Sequence, residues 1–267
     1  KILAPKLYKE NFNKNYIEIK DLGKNNVFDI LNNRKKNNLK IFKEIILLLK
    51  KIQKIKKIRV KNFKKKYYKI PMYTKNLLFE EAKLFCDWYV PMNISKQRVK
   101  LINKKLIKKI KFLLSKLKQK NDTFVHRDFH VSNLMMFKNR YGVIDTQDAV
   151  VGNKAYDLAS LIDDVRFETS KKLKKQVFEY YLNINKAELD LKKFKNDFDI
   201  LSVLRNLKII GIFTRLAKRD KKYNYLRLIP YTWKLIKLKI NNNFLLKDLK
   251  IFLNKNFSKK IRNRNGN

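Results

Sequence analysis

The chain has 267 residues, 45% of them hydrophobic, and carries 66 Lys and Arg against 23 Asp and Glu for a net charge of +43. That much apolar material builds a sizeable core and excludes a wholly disordered polycation, while no run approaches the roughly 18 uninterrupted apolar residues of a membrane span. The single cysteine, Cys86, cannot form an internal disulfide, and no secretory signal is visible, so a cytoplasmic location is expected.

In chain order, Tyr16-Ile17-Glu18-Ile19-Lys20-Asp21-Leu22-Gly23 reads as a hinge-like segment, and after a first strand helices dominate. Asn37 or Asn38 supplies the cap of a helix through 52, Thr74 of one through about 89, and Ser95 of a long one through 117. Between the first two, 56–69 is basic and interspersed with Tyr and Phe, and reads as a loop or insertion. Thr123-Phe124-Val125 predicts a strand, 133–137 a second, and Tyr141-Gly142-Val143-Ile144 a third. The polar turn Lys138-Asn139-Arg140 joins the last two as a hairpin. Helices are expected near 155–167, 170–184, 193–217, 221–240 and 245–255, followed by a basic, disordered tail at 258–267.

Both histidines fall in His126-Arg127-Asp128-Phe129-His130-Val131-Ser132-Asn133, between the first two of those three strands. The third strand delivers Asp145, with Asp148 three residues on. Asp128, Asn133 and Asp145 are the residue types that phosphoryl transfer uses: one carboxylate to orient or deprotonate the attacking hydroxyl, and oxygen ligands to hold Mg²⁺ against phosphates. Zinc fits less well, because Cys86 is remote in sequence and the Asn and Ile-Asp elements would have no purpose. The bland alternative is a polar loop whose carboxylates are merely solvated.

At these residues the chain resembles the aminoglycoside phosphotransferase and choline kinase-like superfamily, whose catalytic loop reads His-x-Asp-x-x-x-x-Asn followed by an Ile-Asp strand. It is most similar to the bacterial anomeric kinases that phosphorylate N-acetylmuramate and N-acetylglucosamine in cell-wall recycling. Asp21-Leu22-Gly23, Phe85-Cys86-Asp87-Trp88-Tyr89, 126–136, 142–152, Tyr156-Asp157-Leu158, Arg205-Asn206-Leu207-Lys208 and 211–216 carry that resemblance, in the family's order. It implies an α+β, protein-kinase-like fold: a remnant of an N-terminal lobe and hinge at 1–23, a mostly helical C-terminal catalytic lobe at 24–257, and the tail. It implies ATP and Mg²⁺ as cofactors, a small-molecule sugar as substrate, Asp128 as the catalytic base, and Asn133 and Asp145 as metal ligands. Asp148 either joins the metal shell or orients its loop. His126 braces the catalytic loop, Arg127 neutralises Asp128 or a phosphate unless it is simply solvated, and His130 approaches substrate or caps local backbone. Trp88, Arg205 and Arg215 are possible substrate contacts; the alternative puts Trp88 in a core and pairs Arg205 and Arg215 with Asp163 and Asp164. Asp157 reads as a carboxylate favouring the exposed amides of its own helix's first turn.

The five glycines include no pair spaced like a phosphate-covering loop, and the chain begins without Met. A fragment starting partway through the N-terminal lobe is the expectation, and a pseudokinase the alternative. The charge admits a rival of another class, a basic nucleic-acid-binding protein, since aromatic residues interleave Lys64-Lys65-Lys66-Tyr67-Tyr68. Yet the Lys excess runs the length of the chain beside abundant Asn, Ile and Phe, the pattern of AT-rich coding. Charge so spread is screened beyond about 8 Å at physiological salt, and no specific nucleic acid is expected as a partner.

Overall fold

The computed structural model describes residues 2–11, 13–33, 37–56, 58–61 and 65–264. In chain order its elements begin β1 (Leu7–Asn11), β2 (Tyr16–Ile19), α1 (Val27–Asn32), α2 (Asn38–Gln53), β3 (Arg59–Lys61), β4 (Tyr67–Lys69), α3 (Lys75–Leu84), α4 (Val90–Asn93) and α5 (Lys96–Ser115). Then come β5 (Asn121–Val125), β6 (Leu134–Phe137), β7 (Arg140–Val143), β8 (Val150–Asn153), α6 (Ala155–Ile162) and α7 (Lys171–Ile184). The chain continues through α8 (Leu191–Asp220), α9 (Ile229–Ile240), α10 (Lys247–Asn256) and α11 (Lys259–Arg262). These divide into two compact units that alternate along the chain, Lys1–Tyr73 with Lys120–Leu189 and Thr74–Gln119 with Asp190–Asn267.

The first unit is built from short two-stranded ladders and the helices around them. β6 and β7 pair with Phe137 opposite Arg140, leaving Lys138 and Asn139 as the turn at φ 47° and 55°. Positive φ at both central residues is the type I′ geometry that matches the twist of a tight hairpin. Leu3 bridges to Gly142 on β7, where a Cβ would stand 2.7 Å from the Leu3 carbonyl oxygen, so only glycine lets the two backbones meet. β5 pairs antiparallel with β8, which had no counterpart in the expected elements, and Val151 N–H bonds to Pro71 O at 2.8 Å. Helix α2 starts where expected: Asn37 Oδ1 accepts from Lys40 N at 3.2 Å, and Ile41, Ile45, Leu48, Leu49 and Ile52 bury one face. Its end is tied by Gln53, which donates to Lys154 O at 2.9 Å and accepts from the Tyr181 hydroxyl of α7 at 2.7 Å.

The second unit is all-helical. Helix α8 runs 30 residues, about 45 Å at 1.5 Å per residue, and is the spine on which α3 and α9 pack. Gly211 is the contact point: a Cβ there would lie 2.4 Å from the Leu84 carbonyl carbon. Lys208 crosses to Glu81 at 2.9 Å, both largely buried. The helix capped by Thr74 continues through a π turn at Phe85–Tyr89 into α4 rather than ending, and Asn103 donates to the Cys86 carbonyl at 3.1 Å.

Other expectations need correction. Within 56–69, expected as a loop or insertion, the described residues Arg59–Lys61 and Tyr67–Lys69 are not loop but pair as β3 and β4, with Val60 opposite Tyr68, because the β-formers Val and Tyr outweigh the Lys content. Residues 57 and 62–64, including Lys64, lie outside the described residues. The tail is not wholly disordered, since Ser258 Oγ accepts from Ile261 N at 3.3 Å and starts α11, while Asn265, Gly266 and Asn267 lie outside the described residues. Strand β1 and helix α1 had no sequence counterpart. No described helix is long and apolar enough to cross a membrane.

Candidate functional site

Seven of the sequence-predicted residues, His126, Arg127, Asp128, His130, Asn133, Asp145 and Asp148, belong to the first unit, on the turn leaving β5 and the turn leaving β7. The first is a tight backbone knot: His130 N donates to Asp128 O at 3.0 Å and Asn133 N to His130 O at 2.9 Å, followed by one 3₁₀ turn, Val131–Asn133. Asn133 ties it to the second. Its Nδ2 donates to Asp128 O at 3.0 Å and lies 3.4 Å from Asp145 Oδ2 and 3.5 Å from His130 Nε2, while its own carbonyl accepts from Ile144 N at 3.0 Å. With the amide nitrogen so engaged, Oδ1 is the atom available to a cation.

His126 is 1% exposed and its Nε2 lies 2.9 Å from Ile144 O, the residue before Asp145. Desolvation pushes its pKa below the ordinary histidine value, opposed by that hydrogen bond and by the charges of Asp128 and Asp145. The ring is therefore neutral at pH 7, and a carbonyl partner assigns the proton to Nε2. Its contact with Ile144 O joins the turn leaving β5 to the end of β7.

Arg127 and Asp145 adopt φ of 74° and 63°, the left-handed region that costs a non-glycine residue of order 1–3 kcal/mol and that clusters at functional sites. Arg127 is held there from inside. The Asp157 carboxylate, 0% exposed, accepts from His126 N at 2.7 Å and Arg127 N at 3.0 Å. This corrects the reading of Asp157 as a group serving its own helix: α6 is buried along its length, and the Asp157 carboxylate binds the backbone of the turn leaving β5. Asp164 acts similarly, accepting from Val131 N at 3.1 Å and Arg166 N at 2.9 Å, and Asp163 pairs with Lys174 at 3.6 Å. The Arg127 guanidinium lies 5.4 Å from the Tyr73 ring centroid, and Nη1 donates to Asp148 O at 3.3 Å. Asp148 is exposed and engaged through its backbone.

Gln147 was missed by the sequence reading. Its Nε2 donates to Asp145 Oδ1 at 2.7 Å, fixing the carboxylate that Asn133 approaches from the other side. Asn133, Asp145 and Gln147 line a cavity of about 720 Å³ whose other wall includes Ile19, Leu22 and Gly23 of the hinge-like segment. Two oxygen donors on a solvent-open cavity suit Mg²⁺, which keeps waters and takes one or two protein ligands plus phosphates. Among the described residues no group of three or more His, Cys, Asp and Glu side chains offers an alternative metal site. Trp88, in the π turn, and Arg205 and Arg215, on α8, all belong to the second unit.

The phosphotransferase enzyme family matches residues 31–191, more than half of the chain, including the two turns that carry 126–133 and 145–148. The chain belongs to that family. Among its relatives, a protein of Neisseria meningitidis named N-acetylmuramate/N-acetylglucosamine kinase is 33% identical over 166 residues, covering 60% of this chain and 50% of the relative. One of the same name from Pseudomonas aeruginosa is 30% identical over 236 residues, covering 85% and 65%. The chain thus spans half to about two thirds of the length of these relatives. Of solved structures, the Plasmodium vivax ethanolamine kinase superposes with a TM-score of 0.57 at 18% identity, covering 88% of this chain and 68% of that one. The choline kinase LicA of Streptococcus pneumoniae gives 0.56 at 12%, covering 92% and 75%. These likenesses establish the α+β, protein-kinase-like fold within which the phosphotransferase family site sits.

Proposed function

We propose that the chain carries the catalytic centre of an ATP- and Mg²⁺-dependent kinase for a small-molecule hydroxyl, most specifically the anomeric hydroxyl of N-acetylmuramate or N-acetylglucosamine. The observation that carries this reading is the bridge made by Asn133, at 3.0 Å from the Asp128 carbonyl and 3.4 Å from the Asp145 carboxylate. It ties the turn of Asp128 to that of Asp145, whose carboxylate lines the cavity with Asn133, which supports a base beside a two-oxygen cation site. Asn133 Oδ1 and Asp145 would hold Mg²⁺, which when bound neutralises phosphate charge. Gln147 keeps the Asp145 carboxylate in one rotamer. Asp128 orients the sugar hydroxyl and accepts its proton as the oxygen bonds to the γ-phosphorus; the bond to the bridging oxygen breaks and ADP leaves. Neutral His126 and buried Asp157 keep Asp128 at the required position. Ile19, Leu22, Met135 and Ile144 give the cavity an apolar wall suited to a flat base.

The sugar assignment rests on the relatives' names and on charge. A +43 field repels polycations such as aminoglycosides and attracts the lactyl carboxylate of N-acetylmuramate. Such an enzyme works in the cytoplasm, where ATP is available. The test is phosphate transfer from ATP to N-acetylmuramate, N-acetylglucosamine, choline and kanamycin, beside duplex and single-strand DNA binding at two salt concentrations. Preferential transfer to either sugar is expected. Preference for kanamycin or choline would keep the mechanism and sink the substrate; no transfer with tight, sequence-selective DNA binding at high salt would sink both.

A further inference from the structure

In the second unit, α9, α10 and the segment 257–263 enclose a cavity of about 520 Å³, within the roughly 300–1,000 Å³ of small-molecule sites. Its floor is apolar and buried, formed by Trp233, Ile236, Leu253 and Phe257. That floor is also rigid. Trp233 Nε1 donates to the Tyr89 hydroxyl at 3.1 Å, the hydroxyl donates to Ile261 O at 3.3 Å, and the Trp233 and Phe257 rings meet at 5.8 Å between centroids. The rim is cationic, with Lys234, Lys237, Lys250, Lys259 and Arg262, and among the described residues no carboxylate lines the cavity.

Lysines on the rim need no explanation in so basic a chain, but Arg262 does. Its guanidinium lies over Trp233 at 4.6 Å from the ring centroid, and Nη2 donates to Asn254 Oδ1 at 2.9 Å. Its Nε is buried with no hydrogen-bond partner among the described residues. Desolvation lowers its pKa, with only Tyr89 opposing. Arg219, by contrast, takes both oxygens of Asp220 at 2.6 and 2.9 Å. The guanidinium, only partly engaged by Asn254, stands at the cavity beside a flat aromatic floor and four more cations.

We propose that this cavity binds a small organic anion, its apolar body on the Trp233 floor and its phosphate, sulfonate or carboxylate group on Arg262. The site draws on residues of the second unit alone and is independent of the kinase reading.

The test uses 8-anilinonaphthalene-1-sulfonate, titrated into the Trp88→Phe protein so that Trp233 is the only tryptophan of the original two. Energy transfer from Trp233 to one bound dye per chain is expected. Arg262→Met should raise Kd about tenfold, equal to ~1.4 kcal/mol, with Arg262→Lys intermediate because a lysine keeps the charge but not the planar donor fork. Uncharged N-phenyl-1-naphthylamine should bind at least about tenfold more weakly, and 1-naphthyl phosphate should displace the dye from otherwise wild-type protein. An unchanged Kd in Arg262→Met, no displacement by 1-naphthyl phosphate, or several dyes bound with no Trp233 transfer would each overturn the proposal.

Discussion

Replacing Asp157 by Asn tests whether a residue remote from any substrate sets the catalytic turn. The carboxylate is 0% exposed and accepts from His126 N at 2.7 Å and Arg127 N at 3.0 Å. Asn has the same shape but one acceptor oxygen fewer, so one buried backbone N–H loses a charge-assisted bond and faces an NH₂ donor instead. A hydrogen bond to a charged group contributes about 1.5–3 kcal/mol, and the orphaned donor adds a desolvation cost of about 1–3 kcal/mol. A total near 3 kcal/mol corresponds to a drop in Tm of ~6–12 °C for a chain of this size. Arg127, held at φ 74°, is released first, and a shift of about 1 Å in the neighbouring Asp128 is enough for a ~10²-fold loss of turnover. The assay pairs thermal melting by circular dichroism with steady-state transfer to the best sugar acceptor. A kcat loss with little change in the KM for ATP is expected. Wild-type Tm together with wild-type kcat in the Asn variant would refute this account of the turn.

Asp128→Asn should lower kcat by about 10²–10⁴-fold with nucleotide affinity largely kept, measured by turnover and by calorimetric ADP binding. Asp145→Ala should abolish the Mg²⁺ dependence of nucleotide binding while Tm stays within about 2–4 °C of wild type, and Gln147→Leu should weaken that dependence without removing it; nucleotide affinity indifferent to Mg²⁺ in the wild type would contradict the metal assignment. The buried His126 titrates below its unfolded value of about 6.5, so its contribution is fully present above pH 6.5 and fades as pH falls toward the lower folded pKa. Melting temperature should therefore decline below pH 6.5, with a shallower slope in His126→Gln. Gly211→Ala forces a Cβ to 2.4 Å from backbone carbon of Leu84 and should cost about 3 kcal/mol or more by overpacking, read as an earlier denaturant midpoint with unchanged m.

The sequence made the catalytic turn legible because its chemistry is local: Asp128 and Asn133 sit five residues apart, and the β6–β7 hairpin that brings up Asp145 closes through two residues. Helices α2, α5 and α7 were equally plain from their caps and apolar faces. What escaped were non-local partnerships. Strand β8 is only four residues long and is defined by pairing with β5 across the catalytic turns, so no local period announces it. Asp157 looked like a helix-start acid, and its 31-residue reach back to His126 is visible only in three dimensions. A carboxylate inside the wholly apolar Leu158-Ala159 surroundings was nonetheless a signal, because a buried charge demands a partner. Gln147 gave none. Helix α1 was hidden by its brevity, although Asn26 and Asp29 form a reciprocal cap at 2.8 and 2.6 Å that a search for Asn-x-x-acid would have found.

The alternation of the two units along the chain has a bearing on how the protein is made and cut. During synthesis the first 73 residues must wait for the stretch ending at Leu189 before their unit is complete. At about 5–20 residues per second, that wait from Tyr73 to Leu189 lasts roughly 6–23 s. No single proteolytic cut separates one intact unit from the other. An excised 31–191 piece, the part the family shares, would carry α3 and α5 without the α8 spine they pack on, leaving their apolar faces open to aggregation. Isolated pieces of this chain should therefore be sticky rather than merely inactive, and a tolerated split point must leave residues 74–119 attached to 190–267.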